Sequence, residues 1–197
     1  MKSESVKSIC IYSASSTKID DCYFRDAREL GRLMAAKGIA VVNGAGNMGL
    51  MRAAADGCME AGGQAIGIIP SFMIREGWCH QGMTQIVETP DMHSRQEKMA
   101  EVSDAAIVLP GGCGTLAELM ELITWKQLGL YLKPIVILNT NGYYDSLLQA
   151  LRQAAEQNFM REQHTAIWLV AKTPEEALRL VMETPLWDTS IRRFAAI

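Results

Sequence analysis

Short apolar runs of strand length alternate along this chain with longer segments whose apolar residues recur at helical spacing. Residues 8–12, 39–42, 65–69, 84–88, 105–109, 134–138 and 167–170 read as strands. Residues 20–37, 48–61, 91–102, 115–130, 144–158 and 174–182 read as helices. In the first helix Ala27, Leu30, Leu33 and Met34 share one face, and Gly38 closes it. The strand runs are rich in Ile, Val and Ala on both faces, which implies a sheet covered on both sides. Alternation with helices implies parallel crossovers, so the expected fold is α/β with a doubly wound parallel sheet flanked by helices. Residues 71–83 read as a loop, and the stretch 185–197 gives no clear element.

With 197 residues the chain suits a single domain spanning 1–197. A net charge of -3 exerts no global pull toward nucleic acid or an anionic membrane. No apolar run reaches membrane-spanning length, and Met1–Val6 lacks the apolar stretch of a secretory signal. Cys10, Cys22, Cys58, Cys79 and Cys113 include no C-x-x-C pair, so they read as reduced thiols of a cytoplasmic protein. Neither a zinc site nor any other metal or cofactor is expected.

Two glycine loops follow strands. Gly44-Ala45-Gly46-Asn47-Met48-Gly49 fits G-x-G-x-x-G between a strand and a helix. Either it brings backbone close to a phosphate through Gly44, Gly46 and Gly49, or it is a tight turn. The next strand ends Ile69-Pro70-Ser71 without the acid that a dinucleotide ribose requires, which argues against an ordinary NAD site. The second loop, Pro110-Gly111-Gly112-Cys113-Gly114-Thr115, opens a helix whose free N–H groups suit a phosphate. No Gly-Lys-Ser/Thr follows it, so it is not a triphosphate P-loop. Thr115-x-x-Glu118 also matches a capping box, leaving Glu118 either a cap or a base. In a doubly wound sheet Arg95 and Glu118, each in the first turn of its helix, fall at the same sheet edge as both loops.

Met92-His93-Ser94-Arg95, Pro110 to Glu118, and Ile123-Thr124-Trp125-Lys126-Gln127-Leu128-Gly129 resemble the LOG ("Lonely guy") family. These are cytokinin riboside 5'-monophosphate phosphoribohydrolases, often labelled lysine decarboxylases. The resemblance implies a Rossmann-like homodimer that hydrolyses the N-glycosidic bond of a purine nucleoside 5'-monophosphate such as AMP. The products would be free base and ribose 5-phosphate. It implies Arg95 and Glu118 as the catalytic pair. Gly111, Gly112, Cys113, Gly114, Thr115 and Thr124 would contact substrate, with Met92 and His93 lining the site. Two departures bear on substrate contacts: Gln96 stands where the family has Lys, and Ala117 where it often has an acid.

The mechanism expected of such a site passes through an oxocarbenium-like sugar, stabilised by Glu118, which also directs the water. Arg95 either assists the departing base or holds phosphate. His93 is a general acid or a wall of the pocket, and Cys113 has no visible base beside it. Glu76 is a solvated loop charge or a contact to a substrate hydroxyl. A non-hydrolytic nucleotide carrier or sensor is the alternative on the same fold. A pyridoxal-phosphate decarboxylase would need a Schiff-base lysine, and Lys98, Lys126 and Lys133 have no such context.

Overall fold

The computed structural model of the chain describes residues 6–194. The opening residues 1–5 and the end of the tail, 195–197, lie outside them. The strands are β1 (Ser8–Tyr12), β2 (Ala40–Asn43), β3 (Ala65–Pro70), β4 (Gln85–Thr89), β5 (Ala105–Val108), β6 (Ile135–Leu138) and β7 (Leu169–Ala171). They form one sheet in the order β4-β3-β2-β1-β5-β6-β7, with every pairing parallel. The chain walks outward from β1 to β4, then returns to place β5 on the other side of β1. The point where the direction of winding reverses therefore falls between β1 and β5, where a doubly wound sheet opens a crevice beyond its carboxyl edge.

The helices are α1 (Asp21–Ala36), α2 (Gly49–Glu60), α3 (Ser71–Arg75), α4 (Met92–Val102), α5 (Cys113–Gln127), α6 (Asp145–Glu156) and α7 (Pro174–Glu183). Strand alternation sorts the core into two layers. Ile9, Ile11, Val41 and Ile107 pack with Leu30 and Met34 of α1, Leu50 and Ala54 of α2, and Leu178 and Val181 of α7. Cys10, Tyr12, Val42, Ala106 and Val108 face the other way, against Met99 of α4, Leu119 and Leu122 of α5, and Leu151 of α6. Burial on both faces explains why these strands read as unbroken apolar runs.

Three expectations about elements are corrected. The stretch 71–83 is not all loop: Ser71–Arg75 forms α3, and Gly77, at φ +74°, turns the chain back so that Cys79 bridges Gly46. The helix expected from Thr115 begins two residues earlier, at Cys113, because Gly112 adopts the extended conformation that ends the loop. The last strand starts at Leu169, and the preceding Ile167 and Trp168 are buried beside a short 3-10 turn, Glu162–Ala166. The tail carries a further 3-10 segment, Thr189–Phe194.

Candidate active site

A cleft of about 620 Å³ opens at the carboxyl edge of the sheet. The segment after β1 (Ser13, Ala14, Ser15, Ser16) and the segment after β5 (Gly112, Cys113, Gly114, Thr115) form two of its walls. Met92, His93, Arg95 and Gln96 enter from the first turn of α4, and Ala117, Glu118 and Glu121 from α5. Met51 and Met73 add apolar surface from α2 and α3.

Arg95 is the best-anchored residue of the site. Asp91 caps α4 by accepting from the Ser94 N–H at 2.8 Å, which fixes the turn that carries Arg95. The Arg95 side chain runs inward and is only 6% exposed. Its Nε donates to the Ile68 carbonyl at 3.2 Å, and its Nη1 donates to Glu118 Oε1 at 3.0 Å. Its Nη2 lies over the Cα of Gly44, where a Cβ would stand 1.8 Å away. Gly44 is thus a seat for the guanidinium.

Glu118 is nearly as enclosed, with its side chain 13% exposed. Burial raises its pKa above the ordinary carboxylate range; the charge and hydrogen bond of Arg95 oppose that, and Glu121 one turn on adds to it. A carboxylate destabilised by burial yet aimed by an arginine has the character of a proton acceptor. Its reading as a cap is corrected: Thr115 is the third residue of α5, no side chain caps that helix, and the Glu118 carboxylate is engaged by Arg95.

That uncapped end of α5 faces the cleft. Leu116 N–H donates to the Gly112 carbonyl at 3.0 Å, but the N–H groups of Cys113, Gly114 and Thr115 meet no protein acceptor among the described residues. Such an end attracts anions through its free donors and the helix dipole. Across the cleft, the Ser13 hydroxyl is buried, with its residue 5% exposed, and lacks a hydrogen-bond partner. A buried hydroxyl without a partner is costly, unless a ligand completes it. Nothing occupies the space that a Cβ on Gly112 or Gly114 would fill, so both peptides lie open.

Of the two readings of the first glycine loop, its contacts are those of the tight turn. The N–H groups of Leu50 and Met51, at the start of α2, both go to the Ala14 carbonyl, at 2.8 and 3.4 Å. Asn47 N–H goes to Trp78 O, and Ala45 N–H to Asn43 Oδ1. Gly49 sits at φ +65° with Ser15 and Ala14 backbone against it, and Gly46 packs on Met51. Gly44, Gly46 and Gly49 lie outside the cleft wall; their task is close packing. Two other expected contacts also fall outside. Gly111 is buried against Thr115. Thr124 lies farther along α5, where its hydroxyl donates to the Met120 carbonyl at 2.8 Å. Glu76 does not line the cleft either. Met92, His93, Arg95, Gln96, Gly112, Cys113, Gly114, Thr115 and Glu118 are brought together as expected.

Sequence reading missed Ser13, Ser15 and Ser16, although a serine-rich run directly after the first strand was a usable signal. It also missed Met51, Met73 and Glu121. No lysine lines the cleft. Lys98 pairs with Glu101, Lys133 donates to the carbonyls of Ala100, Glu101 and Ser103, and Lys126 is buried against the Lys133 carbonyl. The site therefore does not fit a pyridoxal-phosphate Schiff base.

Comparison with known proteins gives a consistent picture. The family model described as "Possible lysine decarboxylase" matches residues 51–181. A cytokinin riboside 5'-monophosphate phosphoribohydrolase of Arabidopsis thaliana is 36% identical over 183 residues, 93% of this chain and 85% of that protein. A probable enzyme of the same name from Oryza sativa subsp. japonica is 39% identical over 170 residues, 86% of this chain and 68% of that protein. Among solved structures, the molybdenum cofactor binding protein of Rippkaea orientalis superposes with a TM-score of 0.68 at 25% identity, covering 91% of this chain and 97% of that one.

Proposed function

The chain belongs to the LOG family, and from that premise we propose that it hydrolyses the N-glycosidic bond of a purine or cytokinin riboside 5'-monophosphate such as AMP. The observation that carries this reading is the buried Arg95–Glu118 pair, set one helical turn from the open amino end of α5. Phosphate binds at that end, to the N–H groups of Cys113, Gly114 and Thr115 and to the Ser13 hydroxyl. Ribose then extends toward Glu118. The base lies toward the apolar side formed by Met51, Met73 and Met92.

In the reaction the C1'–N bond breaks and its electron pair leaves with the base. The sugar passes through an oxocarbenium-like state, for which the Glu118 carboxylate supplies the opposing charge. Water forms the new C1'–O bond, and its proton passes to Glu118 and on to the departing base. Arg95 has its Nε and Nη1 committed to Ile68 and Glu118, so its role is to aim the carboxylate. The phosphate is left to the α5 end. His93 forms part of the exposed rim of the cleft.

The same reading includes a homodimer of single-domain protomers in the cytoplasm. Met120, Leu128 and Leu130 are exposed along α5 and just beyond it and offer an apolar face for a second copy. All five cysteines are unpaired, which suits a reducing compartment.

The test is incubation with AMP and measurement of free adenine and ribose 5-phosphate. Glu118→Gln is expected to abolish release. Turnover at the wild-type rate in that variant would remove Glu118 from the chemistry, and tight AMP binding without base release would favour a carrier instead.

A further inference from the structure

Three successive carbonyls lead into the amino end of α5, and each is held by a donor from elsewhere in the chain, two from the adjacent Tyr143 and Tyr144 and one from Ala14. Leu109 O accepts from the Tyr144 hydroxyl at 2.7 Å. Pro110 O accepts from the Ala14 N–H at 3.1 Å. Gly111 O accepts from the Tyr143 hydroxyl at 2.8 Å. All peptide bonds among the described residues are trans. In a trans peptide the carbonyl and the following N–H point in opposite directions. Holding Gly111 O on Tyr143 therefore turns the Gly112 N–H to the other side of the chain, away from Tyr143. That N–H has no protein acceptor among the described residues, and Gly112 lines the cleft.

Glycine peptides rotate with little steric resistance, so a run containing Gly111, Gly112 and Gly114 has no stiffness of its own. The tyrosine bracket supplies it. Asn141 and Gly142 both adopt positive φ, 54° and 70°, which swings Tyr143 back over the loop. Asn139 Oδ1 accepts from the Tyr144 N–H at 2.7 Å, while its Nδ2 donates to Asp145 at 2.7 Å. The Tyr143 ring is held edge-on by Tyr23 and Tyr144, with centroids 6.0 and 5.0 Å away. It nevertheless remains 44% exposed, so little of the core depends on it, whereas Tyr144 is buried.

We propose that Tyr143 is a positioning residue for anion binding: by fixing the Gly111 carbonyl it holds the Gly112 N–H toward the phosphate of the substrate. This rests on the hydrolase reading for the identity of the ligand, but it is tested on binding alone. Tyr144, acting on Leu109 from within the core, anchors the same loop for stability.

The experiment compares wild type, Tyr143→Phe and Tyr144→Phe. Calorimetry reads the affinity for ribose 5-phosphate and for adenine, thermal melting reads stability, and AMP hydrolysis gives kcat and KM. Tyr143→Phe is expected to weaken ribose 5-phosphate about threefold to tenfold, as for loss of one ordering hydrogen bond. Adenine affinity and Tm should hold, and KM for AMP should rise by the same factor with kcat within about twofold. Tyr144→Phe is expected to lower Tm. Unchanged ribose 5-phosphate affinity in Tyr143→Phe overturns the proposal, as does an equal loss for adenine together with a fall in Tm. A wild-type protein that binds ribose 5-phosphate but releases no adenine overturns the hydrolase reading alone. One that does not bind ribose 5-phosphate overturns the anion site and the role of Tyr143 with it.

Discussion

Gly44→Ala is the sharpest probe of how the site is built. The added Cβ would lie 1.8 Å from Arg95 Nη2 and 2.8 Å from Cζ. Ordinary contact needs roughly 3.5 Å, so the guanidinium must retreat by about 1.5 to 2 Å. The bonds of Arg95 to Glu118 at 3.0 Å and to Ile68 O at 3.2 Å would be stretched well beyond the normal range and do not survive that shift. Losing one partner of a buried pair costs about 3–5 kcal/mol. The displaced arginine stays nearby, so about 2–4 kcal/mol is expected, and at this chain length that lowers Tm by about 5–15 °C. A carboxylate moved by about 1 Å from its productive position loses about 100-fold in turnover. Gly46→Ala is the matched control for stability, since its Cβ meets only the Met51 side chain, nearest at the terminal methyl, 2.6 Å, and a methionine end swings aside for less than about 1 kcal/mol. The assay is thermal melting with AMP hydrolysis, alongside ribose 5-phosphate binding, which should persist because the α5 end is untouched. If Gly44→Ala melts and turns over like wild type, Arg95 is not seated on that glycine and the account of the pair is wrong.

Other outcomes follow from the same contacts. The folded state holds the Glu118 proton more tightly than the unfolded chain, whose reference is 4.5, so the group's contribution to stability falls as pH climbs through that raised value. Glu118→Gln should therefore remove a negative slope from the stability–pH curve, keep an acceptor for Arg95, and cut turnover by about 100-fold or more; a wild-type acid limb of kcat at an ordinary carboxylate pKa would contradict the raised value. Ser13→Ala should weaken AMP and ribose 5-phosphate by about threefold to tenfold with no loss of Tm, because that hydroxyl has no protein partner to lose; a destabilised variant would show that Ser13 is structural. Lys126 is buried with its pKa pushed down to about 8, so the unfolded chain, at 10.5, binds more protons between those values and stability rises with pH there. Lys126→Met should flatten that rise and add about 1–3 kcal/mol near pH 7, net of the lost bond to Lys133 O and the contact with the Trp187 ring at 4.7 Å; urea melts across pH 7 to 10 read both.

The parallel sheet was legible because its central strands are apolar on both faces and every crossover except the one from β3 to β4 is long enough to carry helical spacing. α3 was not legible. Five residues are too few for a periodic signal and too short to be stable alone, so Ser71–Arg75 depends on the turn at Gly77 and the bridge from Cys79 to Gly46. The choice between the two readings of the first glycine loop was hidden for a related reason. Its motif is local, but Asn47 N–H goes to Trp78 O and the Leu50 and Met51 N–H groups that follow it go to Ala14 O, contacts across thirty or more residues that no spacing rule contains. Helix direction brought Arg95 and Glu118 to one sheet edge, and the family resemblance read them as a pair. The serine run after β1 was visible as a signal, but its place in the site followed from β5 lying beside β1.

The two departures from the family pattern make physical sense together. Gln96 replaces a cation, and Ala117 replaces an acid, so the formal charge of the cleft is unchanged by the pair. Both line the cleft next to Glu118, and Gln96 spends its amide on the Glu118 carbonyl at 3.2 Å, bracing the helix turn that carries the carboxylate. What changes is local. Without a lysine at position 96, Arg95 is the cation left to oppose the burial of Glu118, and burial prevails. A buried ion pair of this kind is a poor source of stability. Its expense in this fold is an α4 cap, a β3 carbonyl and a glycine with no room for a methyl group, all committed to one guanidinium. Under the proposed mechanism, that commitment serves a carboxylate that stays aimed while burial keeps its proton affinity high enough to accept a proton from water.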